Sequence, residues 1–166
     1  MAQATSWYFA YGSNMSRAAF ASRVGQILEA HVARLVNYEM VFNKKVRGGT
    51  AAASVRPAAG KTVYGVLYKI PEASFRNLDR YEGVPMHYRR IQLTVNIGLG
   101  GSLNAEDGAS PSSGPGRGVT AQVYIATKVE KGLRPAGHYL QSILDGAAEN
   151  AFPADYIAQI KSAAGA

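Results

Sequence analysis

Hydrophobic and polar positions recur with legible periods along most of this chain. Trp7-Tyr8-Phe9-Ala10-Tyr11 is a short aromatic run stopped by Gly12-Ser13-Asn14, the pattern of a strand entering a turn. Ser16 stands where it can cap a helix reaching about Val24, with Ala18, Ala19, Phe20 and Val24 as its apolar positions. His31 to Asn43, rich in valine and aromatics, reads as one long strand or two paired ones, and Thr50 to Arg56 as a weaker strand between Gly48-Gly49 and Pro57. From Lys61 to Ile70 both faces are partly apolar, which suits a central strand or a barrel wall. Pro71 fits a first helical position, where its missing N–H would be unpaired in any case. Phe75, Leu78 and Tyr81 or Glu82 then follow at helical spacing, and Gly83 closes the helix as a left-handed cap.

Tyr88 to Ile97 alternates cleanly, Ile91, Leu93, Val95 and Ile97 against Arg90, Gln92, Thr94 and Asn96. Val119 to Thr127 alternates as well. The intervening 98–118 is dominated by glycine, serine and proline without an apolar face, and reads as a mobile hairpin loop or a small disordered insert rather than a domain boundary. Tyr139, Leu140, Ile143, Leu144 and Ala147 make one helical stripe, and Pro153 opens a second helix carrying Tyr156, Ile157 and Ile160. Strands and helices in this order predict an α+β chain with a predominantly antiparallel sheet. No internal repeat is present, and 166 residues suit one domain of about 100–200 residues.

Composition narrows the chemistry. With no cysteine there is no disulfide framework, thiolate nucleophile, Cys-ligated zinc or iron–sulfur cluster. Eighteen lysines and arginines against 11 acids give a net charge of +7. The cations are scattered apart from Lys44-Lys45-x-Arg47 and Arg89-Arg90, so they describe a soluble surface rather than a nucleic-acid footprint. Neither a secretory leader nor a run of the ~20 apolar residues a membrane span needs is readable, so a cytoplasmic protein is expected, bound to no membrane.

Histidines 31, 87 and 138 stand alone, without the spacing of a zinc site, and Gly-x-Ser-x-Gly is absent. Glu82 is the unusual carboxylate. It falls in the last turn of its helix, immediately before Gly83, where the negative end of the helix dipole disfavours it. Partial burial there raises its pKa and makes it a proton acceptor and donor near neutrality. The plainer alternative is an exposed glutamate paired with Arg80 or Arg89. Around Gly12-Ser13-Asn14, consecutive backbone N–H groups at a helix start can converge on a carboxylate or an oxyanion.

Tyr8-Phe9-Ala10-Tyr11-Gly12-Ser13-Asn14-Met15 resembles the signature of the γ-glutamylcyclotransferase-like superfamily. Leu78-Asp79-Arg80-Tyr81-Glu82-Gly83-Val84, followed by Tyr88, resembles its second motif. Tyr139, Gly146-Ala147-x-Glu149-Asn150 and Pro153-x-x-Tyr156 resemble its C-terminal helical part. The three matches come in order and span the chain from Tyr8 to Tyr156. The resemblance implies a small mixed or antiparallel β-barrel with flanking helices, spanning residues 1–166. It implies conversion of a γ-glutamyl amine to 5-oxoproline and the free amine, with no cofactor and no metal. Glu82 matches the catalytic glutamate. Tyr8, Phe9, Ala10, Tyr11, Gly12 and Ser13 match the stretch that cradles substrate, with Asn14 closing the turn. Tyr88, Tyr124 and Tyr139 match tyrosines lining the site.

The implied partner is a small γ-glutamyl molecule and not a nucleic acid, with a homodimer left open. The substrate's own α-amine would attack its γ-carbonyl, with Glu82 removing a proton and then delivering one to the leaving amine. Two alternatives stay open at this point: the same fold acting on another γ-glutamyl conjugate, and a non-catalytic module that binds an acidic metabolite or nucleic acid.

Overall fold

The computed structural model of the chain describes residues 2–97 and 117–165. Five strands form a closed barrel. They are β1 (Thr5–Ala10), β2 (Glu29–Lys45), β3 (Ala51–Pro71), β4 (Tyr88–Ile97) and β5 (Arg117–Ala126), in the order β1-β3-β2-β4-β5. Neighbours are antiparallel except where β5 closes on β1, parallel, through Tyr8 and Gln122. The sheet is therefore mixed. Four helices flank it: α1 (Arg17–Val24), α2 (Phe75–Glu82), α3 (Gly137–Glu149) and α4 (Ala154–Ala163). No helix among the described residues is long and apolar enough to cross a membrane.

The long hairpin β2–β3 forms most of the wall. Its turn needs left-handed backbone, supplied by Gly48 (φ 95°) and Gly49 (φ 86°). His31–Asn43 lies within one unbroken strand, and the two segments 50–56 and 61–70 are a single strand, β3. The Pro57–Gly60 break between them is an excursion within that strand. Val36 pairs with Thr62 and Tyr38 with Pro57, so Asn37 alone faces residues 58–61. Asn37 and Gly60 both take positive φ, and the Gly60 N–H donates to Asn37 Oδ1 at 3.0 Å. The continuous partner strand β2 spans this excursion, pairing with β3 in a different register on each side of it, and a further register shift falls between Phe42 and Lys44.

Three local expectations are corrected. Ser16 occupies the N-cap of α1 but makes no side-chain cap bond; a 3-10 turn over Ser13–Met15 precedes it. Pro71 ends β3 in extended geometry, and a second 3-10 turn (Glu72–Ser74) comes before α2. β5 starts at Arg117, two residues before the expected Val119, pairing Arg117 with Ile97 and Gly118 with Asn96. The expected 98–118 insert otherwise lies outside the described residues.

The core is continuous from the barrel interior to the helix undersides. On β1, Tyr8 faces α1 and α2, packing on Phe20 (centroids 5.2 Å) and edge-on to Phe75 (6.4 Å). Phe9, next along the strand, turns to the opposite face and is fully buried. Gly65 of β3 makes room for it: a Cβ there would lie 2.4 Å from the Ala10 carbonyl and 2.6 Å from the Phe9 ring. Gly65→Ala is expected to destabilise the fold by about 1–3 kcal/mol through overpacking. A lower urea midpoint with an unchanged m-value would show this.

Candidate active site

Strand direction assembles the site. Because β1 and β5 are parallel, both leave the barrel at the same end, and β4, antiparallel to β5, enters there. Tyr11 with the following turn, Tyr124 near the end of β5 and Tyr88 at the start of β4 therefore meet at one mouth. α2 delivers Glu82 to this mouth, six residues before β4 begins at Tyr88. Gly83 terminates α2 in left-handed geometry (φ 70°, ψ 41°), with its N–H bonded to Arg80 O and that of Val84 to Asp79 O. On the other side α3 lies directly on the 13–15 turn. A Cβ on Gly146 would meet Met15 Cβ at 2.9 Å, and Asn150 donates to the Met15 carbonyl at 3.2 Å.

Asn14 is the hub. Its side chain is 3% exposed, and its Nδ2 donates to the Tyr8 hydroxyl at 3.0 Å and to Glu82 Oε1 at 3.4 Å. Its Oδ1 accepts from Arg23 Nη1 of α1. The Asn14 and Met15 carbonyls accept from the Tyr68 hydroxyl at 2.9 and 3.1 Å, which fixes the turn to β3. Met15 N–H returns to the Gly12 carbonyl, whereas the N–H groups of Gly12, Ser13 and Asn14 find no backbone acceptor among the described residues. These three N–H groups lie on the turn that the sequence reading offers as an anion cradle.

The buried tyrosines divide by what their hydroxyls do. Tyr11 donates to the Tyr124 carbonyl, Tyr88 to the Ala53 carbonyl at 2.8 Å, and Tyr124 to Asp79 Oδ1 at 2.6 Å. Tyr139 instead accepts from the Ala53 N–H at 3.0 Å, as Tyr8 accepts from Asn14. Among the described residues the Tyr8 and Tyr139 protons have no acceptor. Burial raises the pKa of each of these tyrosines, that of Tyr139 to about 12 against a lowering by its bond to Ala53. At neutral pH they are donors and not bases.

Glu82 is different. Burial pushes its carboxyl up from the ordinary 4.5 to about 7, against lowering by the nearby Arg23 cation and the Asn14 hydrogen bond. It makes no ion pair with Arg80 or Arg89, nor with any other cation within 4 Å among the described residues. A carboxyl with this value exchanges protons readily near neutrality.

The structure brings Glu82, Tyr8, Tyr11, Gly12, Ser13, Asn14, Tyr88 and Tyr139 together. A Cβ on Gly12 would stand 3.6 Å from the Tyr139 hydroxyl and 3.8 Å from Ala53 Cβ. Ala10 is buried at the strand end, and Phe9 faces away. Tyr124 touches Tyr8 edge-on (5.7 Å), but its hydroxyl belongs to Asp79, which Arg90 grips through both carboxylate oxygens. Sequence reasoning missed Ala53, which works through its backbone, and Arg23, which reads as an ordinary cation in the last turn of α1. A separate groove of about 1010 Å³ between β2, β3 and α4 is lined by Asn43, Lys61, Tyr64 and Tyr156 among others, and includes none of the site residues.

A carboxyl with a pKa near 7 beside neutral phenol and backbone donors is an arrangement suited to general acid–base chemistry. Comparison with known proteins makes this specific. The AIG2-like family matches residues 62–160, and the chain belongs to it. The chain is similar to Gamma-glutamylcyclotransferase from Bos taurus and from Mus musculus, each 28% identical over 162 residues, covering 93% of this chain and 77% of those proteins. A solved structure titled Gamma-glutamyl cyclotransferase superposes with a TM-score of 0.78 at 26% identity, covering 96% of this chain and 88% of that one.

The raised Glu82 value has a consequence for stability. Between pH 4.5 and 7 the unfolded chain has released a proton that the folded protein still holds, so this group's contribution is full below pH 4.5 and is lost as pH rises through 7. Glu82→Gln, always neutral, is expected to match the wild type near pH 4.5. At pH 8 it should be more stable, by up to about 3 kcal/mol. Denaturant melts at the two pH values check this.

Proposed function

We propose that the protein is a γ-glutamylcyclotransferase: it closes the γ-glutamyl group of a small substrate into 5-oxoproline and releases the attached amine. The observation that carries this reading is the Glu82 carboxyl, poised near pH 7 beside Asn14 and the donor turn, in a chain similar over 93% of its length to proteins of that name. The compartment, expected from sequence to be the cytoplasm, and a small γ-glutamyl molecule as partner belong to the same proposal.

The chemistry asks for what the site offers. A substrate α-amine is mostly protonated at neutral pH, so the attack needs a base. Glu82 takes its proton, and the freed nitrogen adds to the γ-carbonyl carbon to form a five-membered ring. The N–H groups of Gly12, Ser13 and Asn14 suit the α-carboxylate, and the Tyr139 hydroxyl proton suits the oxyanion that develops on the carbonyl oxygen. Collapse of this intermediate breaks the bond to the leaving amine, which receives the proton from Glu82. The ring nitrogen, which carries two hydrogens after the addition, gives its second proton to the departing amine, so that one C–N bond forms and one breaks, both protons lost by the α-amine end on the released amine, and no water is consumed. Holding amine and carbonyl together supplies the orientation term.

Release of 5-oxoproline from a panel of γ-glutamyl amino acids, glutathione and γ-glutamyl amines tests the reading. Turnover of at least one member is expected, falling at least ~10²-fold in Glu82→Gln with the fold intact. An unchanged kcat in that variant would remove Glu82 from the mechanism. No release from any member would favour a binding module.

A further inference from the structure

Arg23 has no part in the reaction as written, yet it touches both Asn14, which bonds Glu82, and Tyr81, which precedes Glu82 in the chain. From the last turn of α1 its Nη1 donates to Asn14 Oδ1, and its guanidinium lies 4.5 Å from the centroid of the Tyr81 ring, the residue preceding Glu82. One side chain thereby joins α1, the 13–15 turn and the end of α2. Among the described residues it has no carboxylate partner within 4 Å.

An asparagine amide has two orientations of almost the same shape and opposite polarity. With the amino group inward, Asn14 donates to Glu82 and to Tyr8. Reversed, its oxygen would face the carboxylate. A cation that donates to Oδ1 makes the first orientation the stable one, because the reversed amide would set an NH2 against the guanidinium and an oxygen against the carboxylate. We propose that Arg23 is a positioning residue, locking the Asn14 amide with its NH2 toward Glu82 and Tyr8 so that the carboxylate is held in place and its ionised form is favoured. This rests on the assignment of Glu82 as the proton carrier.

The groups facing Glu82 bear this out. Tyr8 and Tyr11 come from β1 and its exit, Asn14 from the turn, Tyr81 from α2, Tyr88 from β4 and Tyr139 from α3, while His87 packs against Gly83 one residue on. Among the described residues Arg23 is the one charged side chain that acts on the carboxyl, and it acts in the same direction as the Asn14 bond, favouring the ionised form. Removing Arg23 takes away its charge and, with the amide free to turn, the Asn14 donor as well.

The test is a carbon NMR titration of the Glu82 carboxyl in the unliganded protein, which needs no substrate. Arg23→Ala is expected to raise the midpoint by about one pH unit or more. In an Asn14→Ala background the same change should move it less than half as far. The acid limb of kcat/KM should shift upward with the midpoint, so that Arg23→Ala recovers activity at high pH, whereas simple misfolding of the site would depress the rate at every pH. The Asn14 side-chain NH2 signal gives a reading without an Asn14 variant: its two proton lines should converge when Arg23 is removed. If Arg23→Ala fails to fold, Arg23→Gln, which keeps most of the stem, replaces it. An unmoved midpoint overturns the proposal, and so does an equal shift in both backgrounds. Absence of turnover in the wild type would instead count against the cyclotransferase reading, leaving the titration to judge Arg23.

Discussion

Burying one carboxylate at the closing end of a helix is the constraint around which the rest of this structure is arranged. The C-terminal end of a helix repels negative charge, and removal from water penalises it further. Glu82 endures both, and burial dominates, placing its pKa near 7. Such a site persists only if the surroundings hold the carboxyl in position without neutralising it fully. A direct ion pair would pull the value down, away from the range that the proposed proton transfer needs. The structure instead sets one cation behind an amide, with Arg23 reaching Asn14 and Asn14 reaching Glu82.

The barrel supplies the rigidity this arrangement needs. Parallel closure of β5 on β1 brings two strand exits and one strand entry to the same mouth, so residues far apart in sequence meet without long connecting loops. Ala53 shows how fully the wall is used. Its carbonyl accepts from Tyr88 and its N–H donates to Tyr139, tying β4 and α3 to one peptide group of β3. The tyrosines consequently differ in role. Those whose protons are spent on carbonyls or on Asp79 brace the site, and Tyr8 and Tyr139, which accept from the protein, keep a donor for a bound group. Burial keeps all of them protonated at neutral pH, so that in the proposed reaction the proton passes through Glu82.

Much of this was legible from residues alone. Period-two alternation located β4 and β5, the Gly83 cap ended α2, and the helix-end position singled out Glu82 before any geometry was known. The Gly12-Ser13-Asn14 stretch also read correctly as the turn that follows the first strand. What escaped has a common cause. The union of 50–56 and 61–70 into β3 depends on a partner strand across the hairpin, which compensates for Pro57 and cannot be seen in the segment itself. Ser16 sits at a cap position without using its hydroxyl, and Pro71 belongs to the strand that ends with it. Arg23 and Ala53 act through a hydrogen bond and a peptide group made in three dimensions, and neither leaves a mark in local pattern. The separate duties of Tyr88, Tyr124 and Tyr139 are likewise invisible until each hydroxyl has a partner.

In the proposed reaction the proton taken by Glu82 serves an internal nucleophile and not water. Turnover of a γ-glutamyl substrate in water enriched in ¹⁸O, followed by mass spectrometry of the acyl product, addresses this directly. Ring closure yields 5-oxoproline free of solvent oxygen, formed in step with the released amine. Glutamate carrying one ¹⁸O in its γ-carboxyl would show hydrolysis in place of ring closure and contradict the proposed reaction.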